Sequence, residues 1–167
     1  MSPIAVGSKA PEFTLPASNG TGISLMDYRG HRHVVLYFYP QDMTPGCTAE
    51  AVAFRDLQDE FKLAGAVILG VSTDDVASHA KFATQHNLTF PLLSDSSGAV
   101  ATRYGVLSGA TGKGPSRAHR VTFIIDPEGS VVRVFSNIRL ECHADEVLAC
   151  LHALTSPKPA RMAAAAD

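Results

Sequence analysis

Val34, Val35, Leu36, Tyr37, Phe38 and Tyr39 form an unbroken run of β-branched, aliphatic and aromatic side chains that stops at Pro40. A strand points successive side chains to opposite faces, so a run with no polar position must be covered on both. That constraint excludes a sheet with one wet face here and asks for a layer of structure on either side. The chain then supplies one. After a short loop at residues 41–44, Pro45 suits the first turn of a helix, where its missing N–H is no loss, and Thr44 is placed to cap. Phe54, Leu57, Phe61 and Ala64 recur at helical spacing and Gly65 suits the stop, which predicts one helix from Pro45 to Ala64.

The alternation continues. Residues 66–71 read as an apolar strand, and Asp74 or Asp75 caps a helix running to about His86. Residues 90–93 are extended, a short helix spans about Gly98 to Tyr104, and residues 121–125 and 131–135 flank the turn Asp126, Pro127, Glu128, Gly129 as a hairpin. Val147, Leu148, Leu151 and Leu154 mark a last amphipathic helix. The first thirty residues are punctuated by Pro3, Gly7, Pro11, Pro16, Gly20 and Gly22 into short extended pieces. Residues 108–116, with three glycines, Lys113 and Pro115, read as a mobile loop, and residues 156–167 as a disordered tail. The expected fold class is α/β: a central mixed sheet flanked by helices on both faces, compatible with a thioredoxin-like arrangement, in one domain over residues 1–155 with no internal repeat.

Composition narrows the function classes. The chain is 46% hydrophobic and 18% charged with a formal net charge of -2, ordinary for a soluble protein and without the basic excess that nucleic acid demands. The longest apolar run is too short to cross a bilayer, and the start has no cationic segment leading into an apolar one, so neither membrane span nor signal peptide is expected. Three cysteines are an odd number, which argues against a disulfide-stapled secreted fold, and no Cys/His spacing among the seven histidines resembles a zinc site. A reducing, cytoplasmic setting is the expectation, with thiols kept for chemistry.

Cys47 falls in the first turn of the predicted helix, directly after the buried strand. Free backbone N–H groups and the positive end of the helix dipole favour a thiolate there, and a nearby cation would add to them. Cys47, Glu50, Phe54, Leu57 and Phe61 share one helical stripe. Glu50 on that stripe wants a cationic partner, unless it is only a solvated first-turn acid. By position alone Cys47 also reads as a small core residue. A thiol–disulfide exchange site would need a second cysteine three residues on, where Glu50 stands.

The surrounding residues weigh against the core reading. Pro40-x-x-x-Thr44-x-x-Cys47 resembles the active-site pattern of the peroxiredoxins. The longer run Phe38, Tyr39, Pro40, then Thr44 to Thr48, Glu50, Ala51, Phe54, Arg55 and Asp56 is similar to the bacterioferritin comigratory protein, or peroxiredoxin Q, branch. Residues 7–15, Gly70, Val71, Ser72 and Asp74, His79, Lys81 and Phe82, residues 90–95, and Arg120 with residues 122–126 extend the likeness over about residues 5–154. The resemblance implies a thioredoxin-like fold and a peroxidase that reduces hydrogen peroxide and organic hydroperoxides. It implies Cys47 as the peroxidatic nucleophile, Thr44 as the hydroxyl that orients the peroxide, Pro40 as the roof of the pocket, and Arg120 as the missing cation, with Glu50 holding its guanidinium. No metal, haem, flavin or other cofactor is implied.

The chain departs from the branch in one respect. Where many members carry a resolving cysteine five residues after the first, Val52 stands, and residues 79–86, another place for it, contain none. Cys150 lies on the apolar side of the last helix and reads as core. Cys142, just before that helix, is the other candidate resolver. The expectation is a one-cysteine mechanism in which thioredoxin, a glutaredoxin-like or mycoredoxin-like protein or a small thiol reduces the oxidised sulfur. The alternatives are resolution by Cys142, or a peroxide sensor or holdase with little turnover. The branch suggests a monomer or weak homodimer.

Overall fold

The computed structural model describes residues 2–109 and 116–155. Two short strands, β1 (Thr14–Pro16) and β2 (Gly22–Ser24), pair antiparallel, and a 3-10 turn (Leu25–Tyr28) leads into β3 (His33–Phe38), the apolar run of the sequence. Then come α1 (Pro45–Asp56), α2 (Gln58–Leu63), β4 (Ala66–Ser72), α3 (Val76–Gln85), β5 (Leu92–Ser94) and α4 (Ala99–Arg103). β6 (Leu107–Ser108), β7 (Arg117–Ala118), the hairpin β8 (Val121–Ile125) and β9 (Val131–Phe135), and α5 (His143–Thr155) complete the described chain.

The main sheet has the order β5-β4-β3-β8-β9. β4 runs parallel to both β3 and β5, whereas β8 runs antiparallel to β3 and β9. The strand with no polar position thus lies at the centre, where both its edges and both its faces are covered. Val34, Leu36 and Phe38 pack with Leu69, Phe123, Ile125, the N-terminal elements and α4 residues Val100 and Tyr104. Val35, Tyr37 and Tyr39 point the other way, onto Phe54, Phe61, Phe82, Val147 and Leu151 of α1, α2, α3 and α5. Helices cover both faces of a mixed sheet, as the element order implied, and the fold is the thioredoxin-like one of the solved relatives described below.

The structure differs from the sequence reading at two places. The helix expected from Pro45 to Ala64 is broken at Leu57 (φ -104°, ψ 7°), whose N–H bonds to Phe54 O at 3.2 Å instead of four residues back. The apolar spacing runs through the break, because Phe61 still packs on Phe54 at 5.8 Å between ring centroids, so periodicity alone could not reveal it. The flanks of the loop at residues 108–116 are also ordered by pairing: β6 and β7 are antiparallel partners, and the Thr73 hydroxyl donates to Ser116 O at 2.9 Å. Residues 110–115 of that loop and the tail at residues 156–167 lie outside the described residues.

Gly70 in β4 stands beside Tyr37 on β3 and Leu92 on β5, and a Cβ there would lie 2.8 Å from Tyr37 Cζ and 2.9 Å from Leu92 Cδ2. Tyr37 has no room to yield, since its ring is stacked on Phe54 at 4.8 Å and edged by Phe90 at 6.0 Å. Gly70→Ala is therefore expected to destabilise the fold by about 1–3 kcal/mol through overpacking, read as a lowered urea midpoint with an unchanged slope.

Candidate active site

β3 delivers its C-terminal end to the site. Tyr39 N still bonds Val71 O at 3.0 Å, and half-buried Pro40 ends the ladder because it has no N–H to give. The connection then turns through Met43, whose φ of 69° is left-handed, an unfavourable geometry for a residue with a Cβ. Thr44 caps α1: its Oγ1 accepts from Cys47 N at 3.3 Å, and its hydroxyl donates to Gln41 O at 3.2 Å. To donate to a bound molecule, that hydroxyl has to rotate away from Gln41.

Cys47 lies in the first turn of α1 and is 1% exposed. Arg120 reaches it from a different part of the chain. Phe38 pairs with Val121 in the β3–β8 ladder, so Arg120, one residue earlier, arrives beside the end of β3. Its Nη2 donates to Cys47 Sγ at 3.4 Å, and its Nη1 donates to Glu50 Oε1 at 2.6 Å. Gly46 makes the approach possible: a Cβ at that position would lie 3.2 Å from Arg120 Nη2 and 3.3 Å from Leu140 Cδ1. Thr44, Cys47, Glu50 and Arg120 thus converge at one helix end, with Pro40 at the entrance to the same loop.

Burial sets the charges. Desolvation pushes the Glu50 carboxyl up to about 7, against the attraction and hydrogen bond of Arg120. Burial also works against the Arg120 charge, but Glu50 and Cys47 outweigh it, so the guanidinium stays charged and Glu50 is the variable member of the pair. The second oxygen of Glu50 has no hydrogen-bond partner. His143 Nε2, 3.9 Å from it, is bonded to Thr122 Oγ1 at 2.8 Å, and burial pushes that imidazole down to about 4, so it is neutral near pH 7.

A second polar network lies on the other side of the loop. Asp42, 4% exposed, accepts from Tyr39 Oη at 2.6 Å and from Ser78 Oγ at 2.7 Å, and its Oδ2 lies 2.7 Å from His79 Nδ1. Burial raises the Asp42 carboxyl, but the bonds from His79 and Tyr39, the His79 charge and Ser78 together bring it below its ordinary value. Asp42, Asp74 and His79 place ligand-type atoms within 4.8 Å of one another. Those atoms already serve the protein, since Asp74 Oδ2 accepts from Asp42 N at 2.8 Å and Ser72 Oγ at 2.7 Å. Sequence reasoning missed Asp42, His79, Thr122 and His143. His79 and Phe82 share an apolar helical face in the sequence, and a histidine on such a face was the available signal.

Among the described residues, neither of the other two thiols hydrogen-bonds to this constellation. Half-buried Cys142 precedes α5 and donates to Glu146 Oε1 at 3.0 Å, a bond that raises its thiol above the ordinary value. Cys150 is half-buried against the layer formed by α1, α2, α3 and α5.

Comparison with known proteins places the chain in a family. The AhpC/TSA family profile matches residues 6–134. Peroxiredoxin Bcp of Escherichia coli is 41% identical over 150 residues, covering 89% of this chain and 96% of the relative. The crystal structure of peroxidoxin BcpB from Mycobacterium tuberculosis is 43% identical with a TM-score of 0.85, covering 90% of this chain and 98% of that one. A bacterioferritin comigratory protein of Xanthomonas campestris, described for alkyl peroxide reduction, is 40% identical with a TM-score of 0.79, covering 86% of this chain and 92% of that one. On this likeness in sequence and fold, the chain belongs to the AhpC/TSA family, in the Bcp and Q branch of the peroxiredoxins.

Proposed function

We propose that Cys47 reduces hydrogen peroxide and organic hydroperoxides and is then restored by an external thiol. Peroxiredoxins are thiol peroxidases, and alkyl peroxide reduction is the activity named for the Xanthomonas relative. The observation that carries the reading is the 3.4 Å approach of Arg120 Nη2 to Cys47 Sγ, with the same guanidinium held by Glu50. A fixed cation beside a sulfur at a helix N-terminus favours the thiolate and faces the oxygens on which negative charge develops.

In the first step the Cys47 thiolate attacks the terminal oxygen of the hydroperoxide. The S–O bond forms as the O–O bond breaks, sulfur gives up two electrons and becomes the sulfenic acid, and the departing oxygen takes a proton from solvent to leave as water or alcohol. Thr44, its hydroxyl turned from Gln41, orients the peroxide, and Pro40 limits water access. In the second step a thiol attacks the sulfenic sulfur, an S–S bond replaces the S–O bond, and water leaves. A further thiol reduces the mixed disulfide. The one-cysteine form of this cycle is supported by Cys142, whose thiol is bonded to Glu146 and thereby made a weaker nucleophile. Thioredoxin, a glutaredoxin-like protein or a small thiol fits the second step, and a reducing compartment such as the cytoplasm suits it.

Purified protein with excess dithiol is expected to consume many equivalents of peroxide per chain, whereas a sensor would stop at one. Cys47→Ser is expected to abolish consumption. Arg120→Ala is expected to lower the second-order rate constant with hydrogen peroxide by about 10²–10³-fold, the effect of removing one preorganised donor. After one equivalent of peroxide, mass spectrometry of the wild-type chain without reductant is expected to show no Cys47–Cys142 bridge.

Glu50 predicts a pH dependence of stability. Its proton is held up to about pH 7 in the fold against an ordinary value of 4.5, so the folded state binds the extra proton. The contribution to stability is fully present below pH 4.5 and is lost as pH rises towards about 7. Urea melts across that window are expected to show a falling component in the wild type that is absent from Glu50→Gln.

A further inference from the structure

The second step of the proposed cycle poses a geometric problem. The sulfur that must meet an external thiol belongs to a residue only 1% exposed. A peroxide is small enough to reach such an atom, but a thiol carried by a protein is not, because an attacking sulfur must come within bonding distance in line with the S–O bond. The start of α1 therefore has to move out, and the loop at residues 40–44 has to move with it, since Thr44 is bonded to Cys47 N.

What holds that loop in place is Asp42. Its side chain and backbone make four bonds at 2.8 Å or shorter: from Tyr39 Oη, from Ser78 Oγ, with His79 Nδ1, and from its own N–H to Asp74 Oδ2. Three of the four run to α3 and the turn before it. His79, fully buried, is fixed in turn by Nε2 at 3.0 Å from Leu93 O on β5. Its Nδ1 faces the Asp42 carboxylate, with Tyr39 Oη at 3.3 Å, and its Nε2 faces the Leu93 carbonyl, so both ring nitrogens are engaged. Removing one member leaves the other's buried polar groups without a partner, which makes the contact behave as closed or open and not as a graded spring. Next to Asp42, Met43 with its φ of 69° lends the loop conformational strain that opening would relieve.

We propose that Asp42 and His79 form a latch that positions the Cys47 loop for the peroxide step and must release for an external thiol to reach the sulfenic acid. The proposal rests on the external-thiol reading above. Neither residue touches the reacting atoms; both are positioning residues, and they favour one step of the cycle at the expense of the other. A merely structural pair would slow both steps together.

The test is single-turnover kinetics on the full chain. The peroxide step is measured by competition with a second peroxidase. The thiol step is measured after one equivalent of hydrogen peroxide, as capture of the oxidised protein by 2-nitro-5-thiobenzoate, with the adduct mapped to Cys47 by mass spectrometry. His79→Leu is expected to slow the peroxide step about tenfold and speed capture about tenfold, the opposite signs expected when one population is drained into another. His79→Asn, which keeps an N–H towards Asp42, is expected to lie near wild type in both. Ser78→Ala removes one donor without opening a large cavity, and is expected to shift both rates in the same directions by about two- to threefold, so it decides the matter if His79→Leu does not fold. Equal slowing of both steps, or no change in either, overturns the latch. A Cys47–Cys142 bridge in place of the adduct overturns the external-thiol reading instead. The latch is then upheld if these substitutions speed formation of that bridge and overturned if they do not.

Discussion

The burial of β3 on both faces is the constraint from which the rest of the structure follows. A strand without a polar position cannot lie at an edge or under water, so it takes the centre of the sheet and recruits a layer on each side. That placement fixes where its C-terminal end emerges: between β4 and β8, under the first turn of α1. The site inherits its precision from the ladder. Register between Phe38 and Val121 brings Arg120 to the end of β3, and no loop flexibility intervenes between the strand pairing and the guanidinium. Rigid elements hold reacting groups more closely than loops do.

Around that strand end the protein buries charge, which is costly unless each charged group finds partners. On the β8 side Arg120 is shared between Cys47 and Glu50, and the arrangement is incompletely satisfied: one Glu50 oxygen has no partner, and its carboxyl is held near the midpoint of its titration at neutral pH. On the α3 side Asp42 is saturated, with every bond short. The two networks differ in kind. The first leaves a group poised to change charge beside the sulfur, as functional sites commonly do. The second spends its hydrogen bonds on holding a backbone segment.

Much of this was legible in the sequence, and the reason is physical. Elements set by local patterning emerged with small errors: the hairpin β8–β9 matched its expected bounds, Thr44 caps α1 as expected, and of the two candidates Asp74 and Asp75 it is Asp75 that caps α3. The convergence of Cys47, Thr44, Glu50 and Arg120 was expected from resemblance, since no local rule reveals that residues 50 and 120 meet. The break at Leu57 was hidden because the same side chains are buried whether the helix runs on or restarts. Asp42 and His79 were hidden for a different reason. Their pairing depends on tertiary distance between the β3–α1 loop and α3, and an aspartate two residues after a proline reads as ordinary turn chemistry. The β6–β7 pair, two residues on each side, is below the length at which alternation carries any signal.

In the proposed cycle the two networks would divide the opposite demands that its two halves place on one buried cysteine. The peroxide step asks for a shielded sulfur, a fixed cation and a capped helix; the thiol step asks for that sulfur to be offered to a bulky partner. If a single network did both, any strengthening of the first step would weaken the second. Here the cation is borne by β8, in the sheet, while the loop is tethered to α3 by bonds that converge on one carboxylate. Under the proposed latch, release of Asp42 would free Thr44 and the start of α1, while the β3–β8 ladder that positions Arg120 shares none of these bonds. In that cycle the sulfur would leave its cation and return to it, because Arg120 is held by the residue that opens a sheet strand and not by the loop.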